Sequence, residues 1–144
     1  MYYFAFEVVG LDRSLVRDLD FGLEIVNSLK SDKVGFTLDS YNLFLENYSD
    51  QYDFSKLSLN QIFVVHMMNA IKSPNNESIV DQRYRRLCSD GDLLNLGNFM
   101  RALQNKGYKG MISTEVFNHL YAKEYTQEEL IKFAYTSLQK EVQK

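Results

Sequence analysis

The 144-residue chain has a mass of 16.8 kDa, is 45% apolar and 24% charged, and carries a net charge of −3 with a pI near 5.4. These values fit one soluble domain spanning 1–144 and exclude disorder, collagen-like repetition and a chain-wide basic field for nucleic acid. No apolar run approaches the roughly 18–20 residues of a membrane span, no basic and apolar leader follows Met1, and the sole cysteine, Cys88, excludes an internal disulfide or a cysteine-based zinc knuckle, so the cytoplasm is the expected location.

Four short segments read as buried parallel strands: 3–9 (YFAFEVV), 34–38 (VGFTL), 62–66 (IFVVH) and 111–116 (MISTEV). Each is followed by a polar cluster and not by a two-residue turn, which predicts crossover connections. Ser14 to Lys30 carries Leu15, Leu19, Leu23, Ile25 and Val26 near the helical period, with Asp12 or Ser14 as its cap. Between Asn42 and Leu59 the aromatics Phe44, Tyr48, Tyr52 and Phe54 fit a loop with a short helix. Pro74 to Asp92 reads as a long loop. Leu96 to Lys106 places Phe99, Met100 and Leu103 on one helical face, and Gly107 stands where a left-handed stop belongs. Thr126-Gln-Glu-Glu129 is a capping box opening a helix to about Val142. The pattern is α/β, with four βα units around a parallel sheet, or half of a (β/α)8 TIM barrel.

An acid or imidazole stands at or just beyond the end of every strand: Glu7, Asp39, His66 and Glu115. In a parallel barrel the strand ends share one face, so three carboxylates and an imidazole form a plausible ligand set for Zn²⁺ or Mn²⁺. One acid alone would read as a helix cap and one histidine as a satisfied core group. Four at successive strand ends point to a metal site, with those plainer readings as the alternative.

The segments Phe4-Ala-Phe-Glu-Val-Val-Gly10, Val34-Gly-Phe-Thr-Leu-Asp-Ser-Tyr41, Ile62-Phe-Val-Val-His66 and Gly107-Tyr-Lys-Gly-Met-Ile-Ser-Thr-Glu-Val-Phe117 resemble the second half of the xylose-isomerase-like TIM barrels, and within them the inosose isomerase group. The resemblance covers nearly the whole chain. It implies the C-terminal half of a barrel and one divalent metal on Glu7, Asp39, His66 and Glu115. It also implies an isomerase or epimerase reaction on a small sugar or inosose, with a proton moved next to a carbonyl and Glu7 and Glu115 as catalytic base and acid. Arg85, from the family's arginine loop, and Asn42 would bind substrate.

The departures are specific. Asn42 and Asn69 stand where the family has histidine and aspartate, and amides cannot shuttle protons at neutral pH. Cys88 and Ser89 replace a Pro and a Gly of the arginine loop. The family's first four strands have no counterpart, so the resemblance predicts weak or no activity for the chain alone. It also predicts association as a homodimer or with a separately encoded N-terminal half-barrel, because the strands at 3–9 and 111–116 would leave open edges. A non-catalytic remnant or subunit that binds metal or a partner is the alternative. A DNA-repair endonuclease of the same superfamily is disfavoured, because His66 and His119 are the only histidines. Arg83, Arg85 and Arg86 read equally well as a solvated face, His119 as an exposed loop residue, and Cys88 as inert despite the arginines beside it.

Overall fold

The computed structural model describes residues 2–46, 52–72, 82–91 and 93–143. Its main sheet has four parallel strands in the order β1 (Phe4–Glu7), β2 (Val34–Asp39), β3 (Ile62–His66), β6 (Met111–Ser113). In sequence, β3 and β6 are separated by a two-stranded antiparallel ribbon that forms its own small sheet, β4 (Asn69–Ala70) with β5 (Arg85–Arg86). The helices are α1 (Leu19–Ser28), α2 (Ser40–Leu45), α3 (Leu96–Asn105), α4 (Tyr121–Glu124) and α5 (Gln127–Val142).

The core lies between the sheet and its helices. Phe36, Leu38 and Val65 of the central strands are fully buried against Leu19 and Val26 of α1 and Phe99 and Leu103 of α3. Tyr52, Phe54 and Phe99 stack edge to face beneath α3. The Thr126–Glu129 capping box is present, and Gly107 adopts φ 80° just past α3.

Several predicted boundaries are shorter in the fold. The first strand is Phe4–Glu7, and the last ends at Ser113, which leaves Glu115 two residues beyond it. The first helix begins at Leu19, capped by Asp18 and not by Asp12 or Ser14. Residues 10–17 form a turn instead, closed by Val9 N–H donating to the Val16 carbonyl, and Leu15 is 95% exposed. The segment 42–59 holds the end of α2 and the buried Tyr52 and Phe54, while Tyr48 lies outside the described residues. Among its described residues, the loop expected over 74–92 contains a helical turn, Gln82–Tyr84, and β5. Its residues 74–81 and 92 lie outside the description.

One irregularity in the sheet positions His66, one of the candidate ligands. Phe36 pairs with Ile62, but Thr37 pairs with Val64, so Phe63 is an extra residue in β3. Side chains alternate along a strand, so this insertion inverts the facing of everything after it. Asp39 thereby lies beside His66 on the same face. Without the bulge Asp39 would pair with Val65, and His66 would point into the helices. Gly35 makes the bulge possible: a Cβ there would stand 2.5 Å from the Gln61 carbonyl oxygen and 2.8 Å from the Phe63 ring.

Candidate metal centre

The carboxyl ends of the four parallel strands bring Glu7, Asp39, His66 and Glu115 together, as the strand-end pattern predicts. One ligand atom from each lies within 4.8 Å of all the others. His66 Nδ1 is 3.6 Å from Glu7 Oε2, 3.6 Å from Glu115 Oε2 and 4.0 Å from Asp39 Oδ2.

Asp39 does two jobs. Its Oδ1 accepts the Asn42 backbone N–H at 2.8 Å and caps α2. That bond fixes the carboxylate and turns Oδ2 toward the cluster. Asn42 then returns through its side chain, donating Nδ2–H to Glu7 Oε1 at 2.7 Å and leaving Oε2 for His66.

The donor chemistry fits a divalent cation. Asp39 Oδ2 and His66 Nδ1 are buried and make no hydrogen bond, a costly condition unless something else satisfies them. Three carboxylates this close repel one another, by roughly 4 kcal/mol per pair at 4 Å and an effective dielectric of 20. The strain registers on Glu7, whose pKa rises to about 7, mainly through burial and then through the charges of Asp39 and Glu115; Asn42 and Arg85 oppose the rise. Asp39 is also raised, by burial above all, against the opposing pull of Arg85. Three hard oxygens and one imidazole nitrogen suit Zn²⁺ or Mn²⁺.

Arg85 belongs to this site and not to a solvated face. It is 4% exposed, its Nη1 lies 3.5 Å from Asp39 Oδ2, and the same nitrogen donates to the Glu115 carbonyl at 3.3 Å. The guanidinium stacks over the Tyr41 ring at 4.3 Å, a support that sequence reasoning missed although Tyr41 directly follows the Asp39-Ser40 pair. Arg86 instead pairs with Asp90 at 3.7 Å.

Other singled-out residues lie elsewhere. Asn69 is buried and organises the arginine loop: Nδ2 donates to the Cys88 and Gly91 carbonyls, and Oδ1 accepts from the N–H groups of Ala70, Leu93 and Leu94. His119 is exposed. Burial pushes the Cys88 thiol up to about 12, against any lowering by the arginines beside it. No helix among the described residues is long and apolar enough to cross a membrane.

Comparison with known proteins places this geometry. The chain is 29% identical over 130 residues to the inosose isomerase of Halalkalibacterium halodurans, covering 90% of this chain and 44% of that protein. The crystal structure of the IOLI protein with a bound zinc atom superposes with a TM-score of 0.79 at 26% identity, over 97% of this chain and 49% of that one. A xylose isomerase domain protein from Salmonella typhimurium shares the fold at a TM-score of 0.77 and 18% identity, again over 49% of its length. The chain thus spans about half the length of the relatives it matches. Residues 3–137 match the family described as the xylose isomerase-like TIM barrel, and the chain belongs to that family.

Proposed function

We propose that the chain is the metal-binding half of an isomerase or epimerase that moves a proton next to a carbonyl in a small sugar or inosose. The observation that carries this reading is the convergence of four ligand atoms within 4.8 Å, two of them buried without hydrogen bonds. The similarity to an inosose isomerase and to a zinc-containing structure supports it. Glu7, Asp39, His66 and Glu115 would hold one Zn²⁺ or Mn²⁺. Bound there, the ion would supply Lewis-acid polarisation of substrate oxygens.

The chain's own groups supply the rest. Glu7 ends one outer strand, β1, and Glu115 follows the other, β6, which suits proton removal on one side of a substrate carbon and return on the other. Asn42 orients Glu7 through the bond to Oε1. Arg85, tied to Asp39 and to the Glu115 carbonyl, holds two of the four ligand residues in register. Its guanidinium and Asn42 are the groups nearest the cluster for hydroxyl or carbonyl oxygens of substrate.

Half of a positioning surface forgoes much of the rate that orientation contributes. The chain alone is therefore expected to turn over weakly, and a homodimer or a separately encoded N-terminal half-barrel would complete the pocket. The test is deuterium exchange from D₂O into the carbon next to the carbonyl of an inosose or ketose, read by NMR with Mn²⁺- or Zn²⁺-loaded protein. Slow exchange abolished by Glu7→Gln and by Glu115→Gln fits the proposal. No exchange by the assembled protein fits a second reading, a non-catalytic metal-binding subunit, which the amide at Asn42 beside Glu7 favours.

A further inference from the structure

Strands β1 and β6 end the sheet, each with one unpaired side among the described residues. The helices beside them are apolar toward the same open sides. On α1, Asp20 reaches Lys56 and Asn27 reaches Gln61, both on the side toward β3. Helical spacing turns Phe21, Ile25 and Leu29 the other way, toward the free side of β1, and Phe21 and Leu29 are exposed. On α5, Lys140 and Glu141 line a cavity shared with the start of α3. The opposite side of α5 presents Ile131, Tyr135 and Val142, all exposed. There a groove of about 300 Å³ runs between Tyr135, Leu138 and Val142 of α5 and Gly110 and Ile112 at β6.

The first flank carries a side chain suited to that groove. Phe6 packs toward α1, so Phe4, two residues earlier, lies on the same helix-side face of β1, and it is 66% exposed. A strand laid beside β6 with the geometry of β1 would bring an aromatic ring to the groove and an apolar helix to the stripe on α5. Both halves of that junction are present in this one chain.

We propose that the two flanks are an interface between two copies of this chain, each β6/α5 flank receiving the β1/α1 flank of the other. The inference shares with the proposed function only the half-barrel geometry, not the metal. Every strand pair in the main sheet is parallel, so a two-fold axis running along the strands adds two more parallel pairs and closes the sheet at eight strands, the number of a complete barrel. One rotation satisfies both edges, and nothing is left to propagate.

Sedimentation velocity at micromolar concentration, with chelator present, tests this. The expected species is a compact dimer of about 34 kDa, twice the 16.8 kDa chain. Phe4→Lys and Ile131→Glu, both at exposed positions, should each give monomers with unchanged far-UV circular dichroism. A bismaleimide should join Phe21→Cys protein to Ile131→Cys protein only when the two are mixed. A compact monomer, an open-ended polymer, a dimer indifferent to both substitutions, or a dimer formed only with a separate N-terminal half would each overturn the inference. A dimer that binds no zinc would uphold it while sinking the proposed function.

Discussion

Arg85 Nη1 lies 3.5 Å from Asp39 Oδ2, and both side chains are almost wholly buried, at 4% and 0% exposure. The guanidinium is neutralised by a residue that also caps α2, and it reaches across to the Glu115 carbonyl of the segment after β6. One side chain therefore ties the second strand of the sheet to the segment that follows the fourth.

Removing that charge should expose its structural weight. In Arg85→Met the Asp39 carboxylate loses its buried partner, and such a loss costs about 3–5 kcal/mol. Arg85→Lys should recover only part, because an ammonium cannot stack flat on Tyr41 while reaching both Asp39 and the Glu115 carbonyl. Urea unfolding measures both. An Arg85→Met midpoint equal to that of the unaltered chain would show that Asp39 needs no cation on that side.

Asn69 is the second structural keystone. Both of its amide hydrogens go to carbonyls, of Cys88 and Gly91, while its oxygen accepts three backbone N–H groups. An aspartate there would turn a carboxylate oxygen toward two carbonyl oxygens. Asn69→Asp should therefore destabilise the chain by on the order of 2–3 kcal/mol, the cost of buried acceptors without donors. Equal stability of the two forms in urea would refute this account.

The same residue illustrates what the sequence did and did not disclose. The convergence of the four candidate ligands was legible because an acid or imidazole after an apolar run is conspicuous, and the parallel pattern put all four at one end. The Thr126–Glu129 box and Gly107 were legible because capping chemistry is local. The role of Asn69 was not, because its partners are mostly 19–25 residues away and are backbone atoms that any sequence would carry. Strand β5 is two residues long, too short for any periodicity, and Leu15 continued a helical spacing that the Val9–Val16 turn interrupts. The Phe63 bulge was invisible for another reason: Ile62 to Val65 is apolar throughout, so an inserted residue leaves no break in the pattern.

Cys88 should behave as an inert core thiol. It is 2% exposed, its sulfur donates to the Met67 carbonyl, and burial pushes its pKa up to about 12. At pH 8 the folded state then holds almost no thiolate, which is the reactive form. Labelling by a disulfide reagent should be slow in buffer and complete within the mixing time in 6 M guanidinium. Stoichiometric labelling of the folded protein in seconds would contradict the burial.

Gly35 tests the link from backbone to candidate metal site. Zinc that binds the folded state alone should stabilise it by about 2.7 kcal/mol at a free concentration one hundred times its dissociation constant. His66→Ala removes a ligand and should abolish most of that gain. Gly35→Ala removes no ligand, yet its Cβ would meet the Gln61 carbonyl oxygen at 2.5 Å, backbone that cannot swing aside like a side chain. The strand must shift at the Phe63 bulge, and that bulge alone sets which way His66 points. Gly35→Ala should therefore still unfold cooperatively without metal, at a lower midpoint, but lose the zinc-dependent gain nearly as fully as His66→Ala. Differential scanning calorimetry with and without Zn²⁺ separates the two effects, since a packing defect lowers both transitions equally whereas a misdirected ligand closes the gap between them. A Gly35→Ala protein that keeps the full zinc shift would mean that His66 reaches the cluster independently of the bulge.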